Sequence, residues 1–127
     1  MSTRENELSH EIIGAGIEVH RELGPGLLES AYQAAMVHEL QSRNLAVESE
    51  RTLPVCYKGV GLDAGYRLDI VVEEKVVVEV KAVDALCDLH EAQLLTYLKL
   101  GGYKLGLLMN FNVPMMRDGI KRVVLGL

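Results

Sequence analysis

Asp69, Glu79 and Lys81 are charged residues set in apolar stretches, and their types and spacing suit metal-assisted hydrolysis. Val76-Val77-Val78-Glu79-Val80-Lys81-Ala82-Val83 reads as a strand covered on both faces, interrupted only by Glu79 and Lys81. Strand side chains alternate, so Glu79 and Lys81 point one way while Val78, Val80 and Ala82 point the other. In the preceding run, Tyr66 to Val72, Arg67 and Asp69 share one face and Leu68, Ile70 and Val72 the other. If Glu73-Glu74-Lys75 is the loop of a hairpin, Val72 faces Val76 and Asp69 faces Glu79. Two carboxylates then converge beside a lysine.

On an exposed strand these charges would be a solvated ion pair worth about 0–1 kcal/mol. In a buried strand each charge costs several kcal/mol in desolvation, which attraction offsets only with good geometry or a bound metal. Burial therefore favours function. A hard cation such as Mg2+, or Mn2+, takes oxygen ligands from one or two carboxylates, keeps waters, and bridges to phosphate oxygens. It would polarise a phosphodiester and acidify a bound water, with Lys81 orienting that water or offsetting developing charge.

The elements that must position these groups follow from periodicity. Leu8, Ile12, Ala15, Val19 and Leu23 recur at helical spacing, predicting a helix from about Glu5 to Leu23 that stops at the Gly24-Pro25-Gly26 turn. A second helix, about Leu27 to Arg43, carries Glu29, Tyr32, Met36 and Leu40 on one face, which aims Glu29 at the core. Leu45 to Lys58 reads as one edge strand, bulged at Pro54, and Gly65 to Val72 and Val76 to Val83 as the central strands. A third helix, about Leu86 to Leu100 with Asp84 as N-cap, carries Leu86, His90, Gln93 and Tyr97 on one face. Leu105 to Met109 and Ile120 to Leu125 are the last two strands.

Composition bounds the rest. With 49% hydrophobic and 24% charged residues, the 127-residue chain is expected to fold throughout as one domain, 1–127. There is no apolar run of about 18 residues and no secretory leader behind the polar N-terminus, so the expectation is cytoplasmic, with no membrane contact. Cys56 and Cys87 lack metal-ligand spacing, which excludes a zinc knuckle or iron–sulfur cluster, and both read as small buried hydrophobes. The net charge of −5 is the wrong sign for a broad basic nucleic-acid surface, so any such contact must be local.

Other candidates have ordinary alternatives. Glu29 in a first helical turn complements the macrodipole. Gln93 and Tyr97, one turn apart, could position a phosphate, a base or the lysine, or be satisfied core groups. His20 and His90 read as structural. Arg117, Lys121 and Arg122 could touch a backbone, although surface solvation is the simpler reading, and Phe111 between two asparagines could stack on a base.

Asp69 with Glu79-Val80-Lys81 resembles the signature of the PD-(D/E)XK nuclease superfamily. Gly26-Leu27-Leu28-Glu29-Ser30-Ala31-Tyr32, Gln93 with Tyr97, and the stretch from Gly106 to Asn112 and on to Arg122 are similar to its GxxExxY branch. The proline that often precedes the signature aspartate is replaced by Leu68. The resemblance implies an α/β, restriction-endonuclease-like core, a mixed central sheet flanked by helices in the order α-α-β-β-β-α-β-β. It implies Asp69, Glu79, the Val80 carbonyl and Glu29 as metal ligands, Lys81 as catalytic lysine, and DNA or RNA as substrate. The alternative is a non-catalytic accessory or interaction module retaining the nuclease fold; a homodimer that completes a cleft stays open.

Overall fold

The computed structural model describes residues 3–63 and 65–127. Helices α1 (Arg4–Leu23) and α2 (Glu29–Ser42) are followed by strands β1 (Val47–Thr52), β2 (Val55–Tyr57), β3 (Val60–Leu62), β4 (Arg67–Val72) and β5 (Val76–Lys81). Helix α3 (Asp88–Gly101) then leads to β6 (Leu105–Asn110), a 3-10 turn at Met116–Gly119, and β7 (Ile120–Val124). Five strands form a mixed sheet in the order β1-β4-β5-β6-β7, in which only β5 and β6 are parallel. The parallel pair requires a crossover, and α3 supplies it.

Two apolar layers hold this sheet. On one side Leu8, Ile12, Met36 and Leu40 of α1 and α2 pack on Ile70, Val72, Val78, Val80 and Leu107. On the other, Leu94 and Leu98 of α3 pack on Val71, Val77, Leu108 and Val123. β5 is thus covered on both faces, as its apolar run demands. The Glu73–Lys75 loop sets Val72 opposite Val76 and Ile70 opposite Val78, the register expected from loop length. Glu73 and Glu74 accept positive φ there, and the Glu73 carboxylate repays it by accepting the Ala46 N–H at 2.6 Å.

Several boundaries differ from expectation for local reasons. The stretch Leu45 to Lys58 is not one strand: β1 ends at Thr52 ahead of Pro54, and the chain then forms a separate hairpin, β2–β3, around Lys58-Gly59. Both turn residues have positive φ, 48° and 79°, as a tight primed turn requires. Helix α3 begins at Asp88 with Cys87, not Asp84, as its N-cap, because the His90 ring accepts the Cys87 N–H at 3.1 Å. Cys87 and Cys56 are exposed, contrary to the buried reading, since one caps a helix and the other lies on the small hairpin. Leu68 packs with the α3 layer while Ile70 and Val72 face α1 and α2, so strict alternation in β4 is interrupted at Asp69.

The turn between α1 and α2 is held from inside. Tyr32 is fully buried and stacked on Phe111 at 4.7 Å, and its hydroxyl donates to the Gly24 carbonyl at 2.5 Å and accepts the Leu27 N–H at 3.1 Å. This delays α2 until Glu29 and sets where that residue emerges. Gly24 and Gly26 have φ of 67° and 101°, values that side chains resist. Removing the hydroxyl in Tyr32→Phe keeps the stacking but leaves the turn unclamped. We expect a loss of about 1–2 kcal/mol in urea unfolding, with unchanged far-ultraviolet circular dichroism.

Candidate metal centre

The strands part where the charged residues begin. The β4–β5 pairing runs as far as Ile70 and Val78. Beyond it the Asp69 carboxylate accepts the Val80 N–H at 2.8 Å, taking the place of a ladder partner. The N–H and C=O of one strand residue leave along the same edge, so the Val80 carbonyl is turned to the same gap. On the outer side β4 is irregular too. Glu50 of β1 has a positive φ of 55° and does not pair with Asp69, and Gln33 of α2 donates to the Asp69 carbonyl instead, at 3.2 Å.

Glu79, next to Val80 on β5, is 5% exposed, and its Oε1 has no hydrogen-bond partner. Burial, reinforced by the neighbouring Asp69 charge and opposed by Lys81, pushes its carboxyl up to about 9. Lys81 is half-buried at the end of β5. Its carbonyl accepts the Phe111 N–H at 3.0 Å, and the buried Asn110 amide clasps both the N–H and the carbonyl of Val83 at 3.0 Å. The exit of β5 is therefore pinned on the β6 side.

Helices bring the other candidates to the rim. Glu29 is the first residue of α2 and is exposed, not aimed at the core, because the apolar stripe of α2 starts only at Tyr32. Its carboxyl is nonetheless held above the usual range by partial desolvation and by Asp69, against the pull of Lys81 and His90. Tyr97 is half-buried and Gln93 exposed on α3. Desolvation and the charges of Glu79 and Asp69 keep the Tyr97 hydroxyl protonated above the ordinary tyrosine value.

A divalent cation fits the inner pair. Glu79 Oε1 is the kind of buried, unpartnered acceptor that a cation satisfies. Among the described residues no three His, Cys, Asp or Glu side chains converge tightly enough to enclose an ion. Two carboxylates suit a metal that retains several waters, as Mg2+ does, better than one needing a full protein cage.

Other sequence candidates go elsewhere. Phe111 is fully buried against Tyr32 and offers no face to a base. His20 donates its Nε2–H to the Val113 carbonyl at 2.7 Å, a structural contact. Lys121 and Arg122 alternate across β7, one 3.9 Å from Glu91 and the other on Asn6, so the basic cluster is dispersed. Gln33 and Asn110 were missed because an amide in a helix or at a strand end carries no pattern of its own. The break in pairing that gives each its role is long-range.

The chain belongs to the PD-(D/E)XK nuclease superfamily, whose sequence pattern it matches over residues 6–123. No curated protein and no solved structure matches it. No described helix is long and apolar enough to cross a membrane.

The Glu79 environment makes stability depend on pH. The folded protein retains a proton that the unfolded chain releases near 4.5, so this group's contribution is largest below that value and declines as pH rises towards about 9. Thermal unfolding in chelator should show wild type losing ground to Glu79→Gln as pH climbs through this interval. A constant difference between the two would show that Glu79 is ionised in the fold.

Proposed function

We propose that this chain is a divalent-metal-dependent phosphodiesterase of the GxxExxY branch, acting on DNA or RNA in the cytoplasm as one domain over residues 1–127. The observation that carries the reading is the buried Glu79 Oε1, unpartnered beside Asp69 and two residues before Lys81 on the same side of β5. Asp69, Glu79 and the Val80 carbonyl would hold the ion, with Glu29 as an additional acid at the rim. When bound, Mg2+ or Mn2+ supplies Lewis acidity and a water of lowered pKa.

The protein's own groups would do the remainder. The Lys81 ammonium donates hydrogen bonds that orient a water and offset negative charge developing on phosphate oxygens. The Tyr97 hydroxyl, held protonated, and the Gln93 amide donate to a phosphate or base. Asp69 orients the Val80 backbone through its N–H. The net charge of −5 favours a second reading, an accessory module that keeps the fold without turnover.

Calorimetry with Mg2+ and Mn2+ on wild type and Asp69→Ala separates these readings when combined with cleavage assays on single- and double-stranded DNA and RNA. We expect binding in the wild type only. Binding should strengthen with pH as the Glu79 proton is displaced. Lys81→Ala should retain metal and lose turnover on the order of 10²- to 10³-fold. Absence of metal binding at millimolar concentration sinks the site, and metal binding without cleavage of any substrate supports the accessory module.

A further inference from the structure

Helix α3 uses only one side for the core. Leu94 and Leu98 enter the apolar layer, while Leu89, Gln93, Tyr97 and Leu100 recur at i, i+4, i+8 and i+11 on a different side. That side forms one wall of an open groove of about 490 Å3, whose other wall is Tyr66, with Val55 alongside. Leu89 is 73% exposed and Tyr66 45%, a large apolar area for a surface helix to leave uncovered. The Tyr66 and Tyr97 rings are 6.0 Å apart and inclined at 55°.

The lining has no formally charged side chain. A sugar–phosphate backbone running along it would meet no cation, and the chain's net charge of −5 supplies no broad attraction in compensation. A duplex presents its phosphates outward and its base faces to one another, so it offers this surface nothing complementary. An unpaired base is apolar on its faces and polar at its edge, matching tyrosine and leucine walls with an amide and hydroxyl among them.

Position ties the groove to the carboxylates. Tyr66 lies three residues before Asp69, immediately ahead of β4, and Tyr97, 6.0 Å from it ring to ring, belongs to the α3 layer packed on Val77, the side of β5 to which Glu79 and Lys81 point by alternation. A base seated here would leave its own phosphate at the gap between β4 and β5.

We propose that this groove seats an unpaired base stacked on Tyr66, with Gln93 at its edge, and that the substrate is therefore nucleic acid that is single-stranded beside the scissile bond. The inference rests on the nucleic-acid reading above, and binding and cleavage test the two separately. Fluorescence anisotropy in chelator would compare a labelled single strand of about 12 nucleotides, an abasic strand of equal charge, and the duplex.

Wild type should bind the single strand at least about 10-fold more tightly than either competitor. Tyr66→Ala should lose roughly 5- to 100-fold of that affinity, Leu89→Ala less, and Tyr66→Phe, which keeps the ring and controls for folding, almost none. Equal affinity for the abasic strand, no effect of Tyr66→Ala, or no binding of any strand overturns the proposal. So does a concentration-dependent dimer in sedimentation that Leu89→Asp dissolves, which would give the groove to a second copy. Metal-dependent cleavage without single-strand preference would overturn the groove and leave the nuclease reading standing. Base-dependent binding without cleavage would do the reverse.

Discussion

The Asp69 carboxylate accepting the Val80 N–H at 2.8 Å is the contact on which the arrangement turns. Past Ile70 and Val78 the two central strands no longer pair, and an N–H left unsatisfied in that interior costs about 1–3 kcal/mol. A side-chain oxygen restores the bond without restoring the strand. The gap survives, its edge is saturated, and one carboxylate is held beside the next. Asp69 is consequently a structural member of the sheet as well as a candidate ligand, and the two roles use different oxygens of one group or share it.

Glu79 is the counterpart that stability alone would not select. A 5% exposed carboxyl with an oxygen lacking any partner lowers the stability of the metal-free fold, and burial moves its protonation far from that of a free side chain. The surrounding layers tolerate it because β5 is otherwise apolar and packed on both faces. Lys81, at the half-buried end of the same strand, gives only partial compensation. This combination of apolar support and an unsatisfied acceptor is the pattern expected of a group kept for an ion or a substrate.

The helices divide their work. α1 and α2 bury the β4–β6 part of one face and, through the Tyr32 clamp on the Gly24 carbonyl, set where Glu29 begins α2. Gln33 ties the same helix to the Asp69 carbonyl where β1 kinks at Glu50, so Glu29 and Asp69 are carried on connected elements. α3 covers the opposite face with few residues and leaves its remaining apolar side open beside Tyr66.

Near neighbours in the chain determined much of this. The three-residue loop admits one register, so the pairing from Val72–Val76 to Ile70–Val78 was readable from spacing, as were the span of α1 and the buried run of β6. The expected pairing of Asp69 with Glu79 does not form, because alternation in β4 breaks at Asp69 and its carboxylate takes the Val80 N–H. Signature residues likewise sufficed for the superfamily. What only the tertiary structure decided depends on partners distant in sequence. Phe111 is withdrawn into the core by Tyr32, Glu29 is exposed because the buried stripe of α2 begins only at Tyr32, and Cys87 is spent on capping α3. The kink at Glu50, the separate β2–β3 hairpin and the unpartnered Glu79 oxygen also belong there. Periodicity specifies which way a side chain points, whereas its partners are set by how the layers meet.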